Sequence, residues 1–593
     1  MPPLSSVSCF LFTSTDKTSR SRFVFWICLS LTVAIVLAIP ALQEAFSHKY
    51  VVQDDARQHV FWMSRFIDPE LFSQDLIADY FQSVAPWGYS SFYFLFTTVG
   101  IEPLLLHKLL PMGLAVLTTI YAFGTTLELL PIPFAGFLTA LFLNQVLWMR
   151  DDIVSATPVA FVYPLFFAFL YYLLRQAIFP CLVTIALQAL FYPQCVFIYA
   201  GVLLLRLIEW EGGPLTLSRN RHNYRLVGMG LAVAVLVMLP YALKSSPYGP
   251  ILSRAEAHTL WTDFFSKDFT HFWFCDRRSG LLPSEWCRID YDLPVLENAG
   301  VLTRLLGLPP IWFTLALPFL FKVPDRFPLV HQINRNRILV LPQILLISVS
   351  FFLIAHALLF QLHLPNRYSE HSFRVIIVLA AGVSLTVILE ALLRFSAISQ
   401  PSNLFRLAIA TVLGLFLLLY PVELNPFLIT NYVRERQYPE LYDFFAQQPK
   451  DSLIASIASD VDNIPSFSQR SILVGDSYVL LYHLGYYRQM RQRVIDLIEA
   501  QYSPDLQQVQ QFIQTYGVDF WLLENLSFQP SYFRSNSIFK EFPEVKEFPD
   551  VVGAAKAQAQ QGNSALAILA NDCRVFQSDK FIVVSADCLL KQS

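Results

Sequence analysis

The sequence predicts a polytopic α-helical membrane protein that carries a C-terminal α/β domain outside the membrane. Of its 593 residues, 55% are hydrophobic and only 15% are charged, against about 25% charged in soluble proteins. Mean hydropathy is +0.47, and several apolar runs reach the roughly 20 residues that cross a bilayer. A net charge of −3 provides no basic surface for nucleic acid, so no such partner is expected.

The first apolar run, residues 23–43, follows the basic residues Lys17, Arg20 and Arg22. It is therefore interpreted as a retained anchor, with residues 1–22 in the cytoplasm and a long loop, 44–102, on the opposite side. Further apolar runs predict ten more spans, about 11 in all within a transmembrane region 23–424. They lie at 103–129, 132–149, 158–174, two within 178–207, 226–243, 301–321, 338–362, 373–393 and 404–420.

Loop charge and cysteine placement both agree with this topology. The loops 219–225 and 322–337, predicted to be cytoplasmic, are rich in arginine. Cys275, Cys287, Cys573 and Cys588 fall on the other side as two local pairs, which favours two disulfides over four free thiols. An oxidising compartment and the absence of a retention signal favour a bacterial inner membrane, with the loops and the C-terminal domain in the periplasm.

The composition becomes more polar in residues 425–593. Strand-like runs at 471–474, 518–524 and 581–585 alternate with helix-like runs such as 502–516. This alternation predicts a small α/β domain, and an odd number of spans places it on the same side as the 44–102 loop.

The 44–102 loop carries adjacent carboxylates, Asp54 and Asp55, with Arg57 and His59 close behind. Adjacent carboxylates are costly in lipid or in a dry core, so they must face water, pair with a cation or bind a metal. One could act as a general base on a hydroxyl, and the other could hold a divalent cation such as Mg²⁺ or Mn²⁺. The alternative is a solvated pair bridged to Arg57 or His59.

A second acidic group, Arg150, Asp151 and Asp152, lies between the third and fourth predicted spans on the same side. All three residues are candidates for substrate or donor-phosphate binding, and Asp152 is also the second candidate metal ligand, with Asp55. The alternative is that Asp152 or Ser155 caps the next helix, which would explain only one of the two carboxylates.

A short loop between the ninth and tenth spans supplies Arg367, Tyr368, His371 and Arg374. These residues, with Arg57, are the remaining candidates for phosphate binding, because arginine binds phosphate through paired hydrogen bonds. Interfacial anchoring is the alternative. The segment 267–292, which includes Arg277, is interpreted as a structural loop.

In their order and sidedness these motifs resemble the GT-C superfamily of integral-membrane glycosyltransferases, which includes protein O-mannosyltransferases and the aminoarabinose transferase of lipid A. Asp54 or Asp55 corresponds to the early catalytic acid of that family, and 150–152 to its second acidic motif. The runs 104–129 and 131–150 resemble its second and third spans. The resemblance implies a polyprenyl-phosphate-linked sugar donor, a lipid, glycan or protein acceptor, and in many members a divalent cation.

The function expected from this resemblance is inverting transfer of a sugar at the extracytoplasmic face. Two alternatives remain open: a secondary transporter, and a non-catalytic membrane assembly protein with a soluble interaction domain. Transporters usually place ionisable residues at mid-membrane depth, whereas the charges here concentrate in loops.

Overall fold

The structure, a computed structural model, confirms the predicted fold class: a helical membrane region followed by a domain built on a β-sheet. It describes residues 3–148, 150–209, 216–283, 309–395, 408–415, 417, 432–434, 438–536, 538–539 and 549–592.

Five helices are long and apolar enough to cross a membrane: Arg20–Ala45, Pro103–Leu129, Arg221–Leu243, Arg335–Ala357 and Pro365–Arg394. Five shorter apolar helices lie at Pro133–Leu147, Pro158–Leu174, Ile178–Phe191, Gln194–Leu205 and Pro310–Leu320. These ten occupy the positions of the first ten predicted spans. The eleventh, 404–420, is described only at residues 408–415 and 417, so the total of 11 stays a prediction.

Shorter helices connect these elements and build the C-terminal domain. In the membrane region they are Pro3–Phe12, Asp54–His59, Phe61–Phe66, Leu76–Val84, Trp87–Thr98, Asp151–Val154, Arg254–Leu260, Thr262–Phe265, His271–Cys275, Pro328–Gln332 and Pro365–Tyr368. In the C-terminal domain they are Pro439–Ala446, Ser459–Asn463, Ile464–Phe467, Asp476–Tyr478, Leu484–Tyr502, Leu506–Tyr516, Tyr532–Ser535, Pro549–Gln561, Ala565–Leu569 and Ala586–Leu590.

The helix Glu370–Phe395, here the central helix, is enclosed by the others, packing against Pro133–Leu147 and Pro309–Leu320. Gly382 permits its close approach to Pro133–Leu147, because a Cβ there would lie 2.9 Å from the backbone nitrogen of Thr139. Small residues allow helices to approach in this way when lipid supplies no hydrophobic driving force between them.

Nine strands occur in the described residues: β1 Val51–Gln53, β2 Ile208–Glu209, β3 Thr216–Leu217, β4 Tyr432–Arg434, β5 Leu453–Ala455, β6 Ser471–Ile472, β7 Phe520–Glu524, β8 Arg574–Gln577 and β9 Phe581–Ser585. The C-terminal sheet has the order β6-β5-β7-β9-β8, with β5 parallel to both of its neighbours and β9 antiparallel to both of its own. The three strands predicted from the sequence all lie in this sheet.

Two features tie distant parts of the chain together. Strand β1, just before Asp54, pairs antiparallel with β4, just before the C-terminal domain. The predicted disulfide Cys573–Cys588 is formed, with its Cα atoms 5.4 Å apart. The other predicted pair needs Cys287, which lies outside the described residues.

The predicted cytoplasmic loops gather at one end of the helices. Thr15 donates its amide hydrogen to the carbonyl of Pro131, and Asn334 donates to that of Leu129. Arg337 forms an ion pair with Glu128 close by. The positive-inside rule requires the basic loops to lie on one side of the membrane, and their position at one end of the helices agrees with it. That this end faces the cytoplasm stays a prediction.

Candidate active site

The helix Asp54–His59 places both early carboxylates in its first turn. Strand β1 leads directly into it, and the side chain of Gln53 caps it by accepting a hydrogen bond from the amide of Ala56 at 3.0 Å. Carboxylates are favourable in the first turn because the helix dipole is positive there. The helix therefore gives Asp54 and Asp55 fixed positions and different directions.

Asp54 and Arg57 are hydrogen-bonded to one another, and Arg57 also binds the C-terminal domain. One guanidinium nitrogen of Arg57 donates to Asp54 at 2.6 Å and to Ser477 at 2.7 Å, and another donates to Asn463 at 2.7 Å. Arg57 is buried. Its guanidinium is thus directed at the domain, away from the phosphate-binding position predicted for it.

Asp55 has no hydrogen bond or ion pair to any of the residues that the structure describes. Burial, followed by the negative charge of Asp151, raises the pKa of Asp55 to about 7, while Arg277 and Arg367 act in the opposite direction. A carboxylate whose pKa lies close to neutrality suits proton transfer at physiological pH.

A buried ion network lies on the same end of the molecule and joins the second acidic motif to the start of the central helix. It consists of Arg150, Asp152, Glu370 and Arg374. Arg374 donates to Asp152 at 2.7 Å and to Glu370 at 2.8 Å, and Arg150 donates to Glu370 at 2.9 Å. All four side chains are at most 10% exposed.

Neighbouring side chains complete this network. The hydroxyl of Tyr163 donates to Asp152 at 2.9 Å and lies 3.1 Å from Nδ1 of His371. Burial alone would raise the pKa of Asp152, but Arg374 and the other nearby cations hold it below its usual value. Asp152 is therefore a permanent carboxylate, committed to Arg374.

Tyr368 and Arg367 are adjacent in sequence and differ in role. The hydroxyl of Tyr368 donates to the carbonyl of Leu362 at 2.8 Å, and its ring packs on Phe351, so it supports the loop. Arg367 has only a distant ion pair, 3.9 Å from Glu370, and its buried Nε has no hydrogen-bond partner in the described structure.

Arg277 is the site residue that the sequence interpretation missed. Its backbone carbonyl, like that of Arg278, accepts a hydrogen bond from Asn366, which anchors this loop beside Arg367. Together Asp55, Arg277 and Arg367 form what we call the open group, in which the charges influence one another without closing into ion pairs. The sequence signal that could have identified it is the pair of adjacent arginines, Arg277 and Arg278, in a loop predicted to be extracytoplasmic.

The predicted metal pair, Asp55 with Asp152, is poorly supported by the contacts present. Oδ2 of Asp152 already accepts hydrogen bonds from Arg374 and Tyr163, and the carboxylate acting most strongly on Asp55 is that of Asp151. No group of three or more His, Cys, Asp or Glu that could hold a metal occurs among the described residues. A divalent cation stays a prediction, and no step below depends on one.

Comparison with known proteins gives similarity only at the level of structure. No family model and no curated protein sequence matches the chain. The oligosaccharyltransferase of Archaeoglobus fulgidus is similar with a TM-score of 0.47 and 11% identity over 86% of this chain and 71% of that one. ArnT from Cupriavidus metallidurans, solved with undecaprenyl phosphate, is similar with a TM-score of 0.45 and 13% identity over 97% of this chain and 100% of that one.

The arabinofuranosyltransferase AftD from Mycobacteria gives a TM-score of 0.45 and 12% identity over 86% of this chain and 37% of that one. A further structure of the Archaeoglobus fulgidus enzyme contains Zn and sulfate. All three proteins are glycosyltransferases, the class that the sequence resemblance predicts. At these identities the likeness concerns the fold alone and assigns no residue role to this chain.

Proposed function

We propose that the protein is a membrane glycosyltransferase that moves a sugar from a polyprenyl phosphate to an acceptor hydroxyl, with Asp55 as the general base. The observation that carries the proposal is the open group: a carboxylate with a pKa of about 7 beside two arginines that close no short ion pair with it.

The arginines would bind the donor. Arg277 and Arg367 present cationic donors on the same side as Asp55, and a phosphate would provide the partner that the buried Nε of Arg367 lacks. Charge-assisted hydrogen bonds to phosphate are among the stronger polar contacts in proteins. They would also stabilise the negative charge that the phosphate gains as it leaves.

Asp55 would take the proton of the acceptor. The acceptor oxygen forms a bond to the anomeric carbon, the bond from that carbon to the phosphate oxygen breaks, and the acceptor proton passes to Asp55. The polyprenyl phosphate departs with the electron pair of the broken bond. Attack from the face opposite the phosphate inverts the anomeric centre.

The buried ion network would have a supporting role. Arg150, His371 and Arg374, predicted to bind phosphate, are held among Asp152, Glu370 and Tyr163. We propose that they fix the position of the 150–152 turn, and hence of Asp151, rather than contact the donor.

The test uses the full-length protein in lipid nanodiscs with a panel of polyprenyl phosphates that carry radiolabelled sugars. Asp55→Asn should reduce sugar release or transfer by about 10²- to 10⁴-fold, the contribution of a positioned acid or base. Asp54→Asn is the matched control: it removes a carboxylate that is half-exposed and bound to Arg57, and should retain most of the activity. Equal activity of the Asp55→Asn variant and the wild type would refute the assignment.

The transporter alternative can be tested on the same preparation. Proteoliposomes that accumulate a solute, with no consumption of any donor in the panel, would favour a transporter over the enzyme.

A further inference from the structure

A cavity of about 640 Å³ lies between the membrane region and the C-terminal domain. Its walls include His59 and Tyr80 of the first loop, Tyr192 at the break between two helices, and Tyr482 and Tyr487 of the C-terminal domain. The volume falls within the roughly 300–1,000 Å³ typical of sites for small ligands. Aromatic side chains with polar tips, which offer both a flat face and a hydrogen bond, share the walls with an equal number of aliphatic and proline residues.

Several wall residues carry buried polar atoms that lack a partner. The side-chain oxygen of Gln194, Nδ1 of His363 and the hydroxyl of Tyr487 have no hydrogen bond within the described structure. Leaving such groups desolvated and unpaired is unfavourable. Their occurrence on the walls of one cavity indicates a ligand that offers several hydroxyl groups.

The charge of the cavity is nearly neutral. Burial lowers the pKa of His59 to about 4, and burial lowers that of His363 to about 3, so both rings are uncharged at neutral pH. Arg278 lies against Trp261, 4.8 Å from the ring centroid, and Asp476 offers an opposite charge on the same walls. A hydrocarbon tail would leave the polar atoms unsatisfied, and these walls show no excess of one charge that would select a strongly charged ligand.

Three wall residues link the cavity to the open group, whose own members are not among the residues that line it. His59 follows Asp55 by one helical turn, Arg278 follows Arg277 directly, and Tyr192 acts electrostatically on Arg367. The cavity therefore lies close enough to the open group for a ligand that extends beyond its walls to approach Asp55. We infer that this cavity binds an uncharged saccharide and that the acceptor of the reaction is a sugar hydroxyl. That the bound saccharide is the acceptor rests on the proposed function, whereas the presence of a saccharide-binding site does not.

The test is saturation-transfer NMR on the full-length protein in a detergent that has no sugar headgroup. The probes are cellotriose, mannotriose and N,N′,N″-triacetylchitotriose, with farnesyl phosphate and a serine-containing pentapeptide as the competing classes. Ring protons of at least one trisaccharide should receive saturation. In the double variant Gln194→Leu, Tyr487→Phe, the affinity for that trisaccharide should fall about tenfold, because two neutral hydrogen bonds are lost.

Tyr516→Phe is the matched control, since it removes a tyrosine hydroxyl that binds Asp496 on a helix of the C-terminal domain. It should leave saccharide binding unchanged. Saturation confined to farnesyl phosphate or to the peptide, or equal saccharide affinity in the double variant and the wild type, would overturn the inference.

A second variant separates this inference from the proposed function. Asp55→Asn should still bind the trisaccharide while losing transfer. Wild-type transfer to a non-saccharide acceptor, with no trisaccharide bound, would refute the cavity assignment and retain the enzyme. Trisaccharide binding without consumption of any donor would retain the site and refute the enzyme.

Discussion

The acidic pairs Asp54–Asp55 and Asp151–Asp152 are alike in sequence and lie at the same end of the molecule, but each pair divides its members between two environments. Asp54 is bound to Arg57, and Asp152 is bound to Arg374. The negative charge of Asp151, in turn, raises the pKa of Asp55. Asp54 and Asp152 thus each form an ion pair with an arginine, and Asp55 is the carboxylate to which we assign the proton transfer.

The contrast between Asp152 and Asp55 shows what an arginine at close range does. With Arg374 at 2.7 Å, burial is overcome and the pKa of Asp152 stays low. Without such a contact, burial prevails and the pKa of Asp55 rises to about 7. We propose that the closed ion network has a structural role and that the open group carries the chemistry, because functional sites are often left unsatisfied.

The largest effect should come from breaking the ion network. Arg374→Ala leaves Asp152 and Glu370 buried with fewer cations, and should lower the free energy of unfolding by about 3–5 kcal/mol. Denaturant titration of the purified protein in detergent measures this. The control is Arg175→Ala, whose side chain is 54% exposed and which should cost about 1 kcal/mol or less. Equal losses in the two variants would contradict the comparison.

Removing the arginines of the open group should lower activity and leave stability almost unchanged. Arg277→Gln and Arg367→Gln should each lower kcat/KM for the donor by about 10- to 100-fold, corresponding to the roughly 1.5–3 kcal/mol of a charged hydrogen bond. Stability should stay unchanged or rise by a few tenths of a kcal/mol, because neither guanidinium closes a short ion pair with Asp55 or Glu370. A large loss of stability in either variant would show that the arginine has a structural role like that of the buried ion network.

Asp55→Asn should stabilise the protein more at neutral than at acidic pH. A raised carboxyl pKa favours the fold at low pH, and this contribution is lost as pH rises from 3.8 through about 7. The gap between these values represents roughly 4 kcal/mol. About half should be observed, because solvent partly reaches the carboxylate. The interval from pH 5 to about 7 spans two pH units, or roughly 2.7 kcal/mol. After the same reduction the variant should gain about 1.4 kcal/mol over the wild type between pH 5 and pH 8, measured by unfolding at both values.

The pH dependence of catalysis should follow the ionisation of Asp55. The rate should rise about tenfold for each pH unit below about 7 and level off above it, because only ionised Asp55 accepts a proton. Single-turnover rates across pH 5 to 8 measure this. A profile that is flat over this range, with donor binding unaffected, would remove Asp55 from the role of base.

The sequence was sufficient to predict the elements and the meeting of their motifs. Apolar runs identified ten helices, even the break near Tyr192, because length and hydropathy constrain membrane helices strongly. The 150–152 and 366–374 segments, which the sequence predicts to lie on one side of the membrane, contact one another in the structure. Alternating strand and helix patterns predicted three of the strands that form the C-terminal sheet.

The sequence alone did not predict which side chains pair with one another within the site. Asp152 and Arg374 are 222 residues apart, and nothing local shows which carboxylate an arginine will contact. Arg57 was predicted to bind phosphate but binds Asn463, 406 residues away. Arg277 was missed because its importance depends on Asn366 anchoring its loop, which no periodicity reveals.

The pairing of β1 with β4 has a consequence for the order in which the protein matures. The strand before Asp54 finds its partner some 380 residues later, at Tyr432–Arg434. During synthesis the N-terminal part emerges long before that partner exists. The acidic helix therefore acquires its final setting only after about three quarters of the chain has been synthesised.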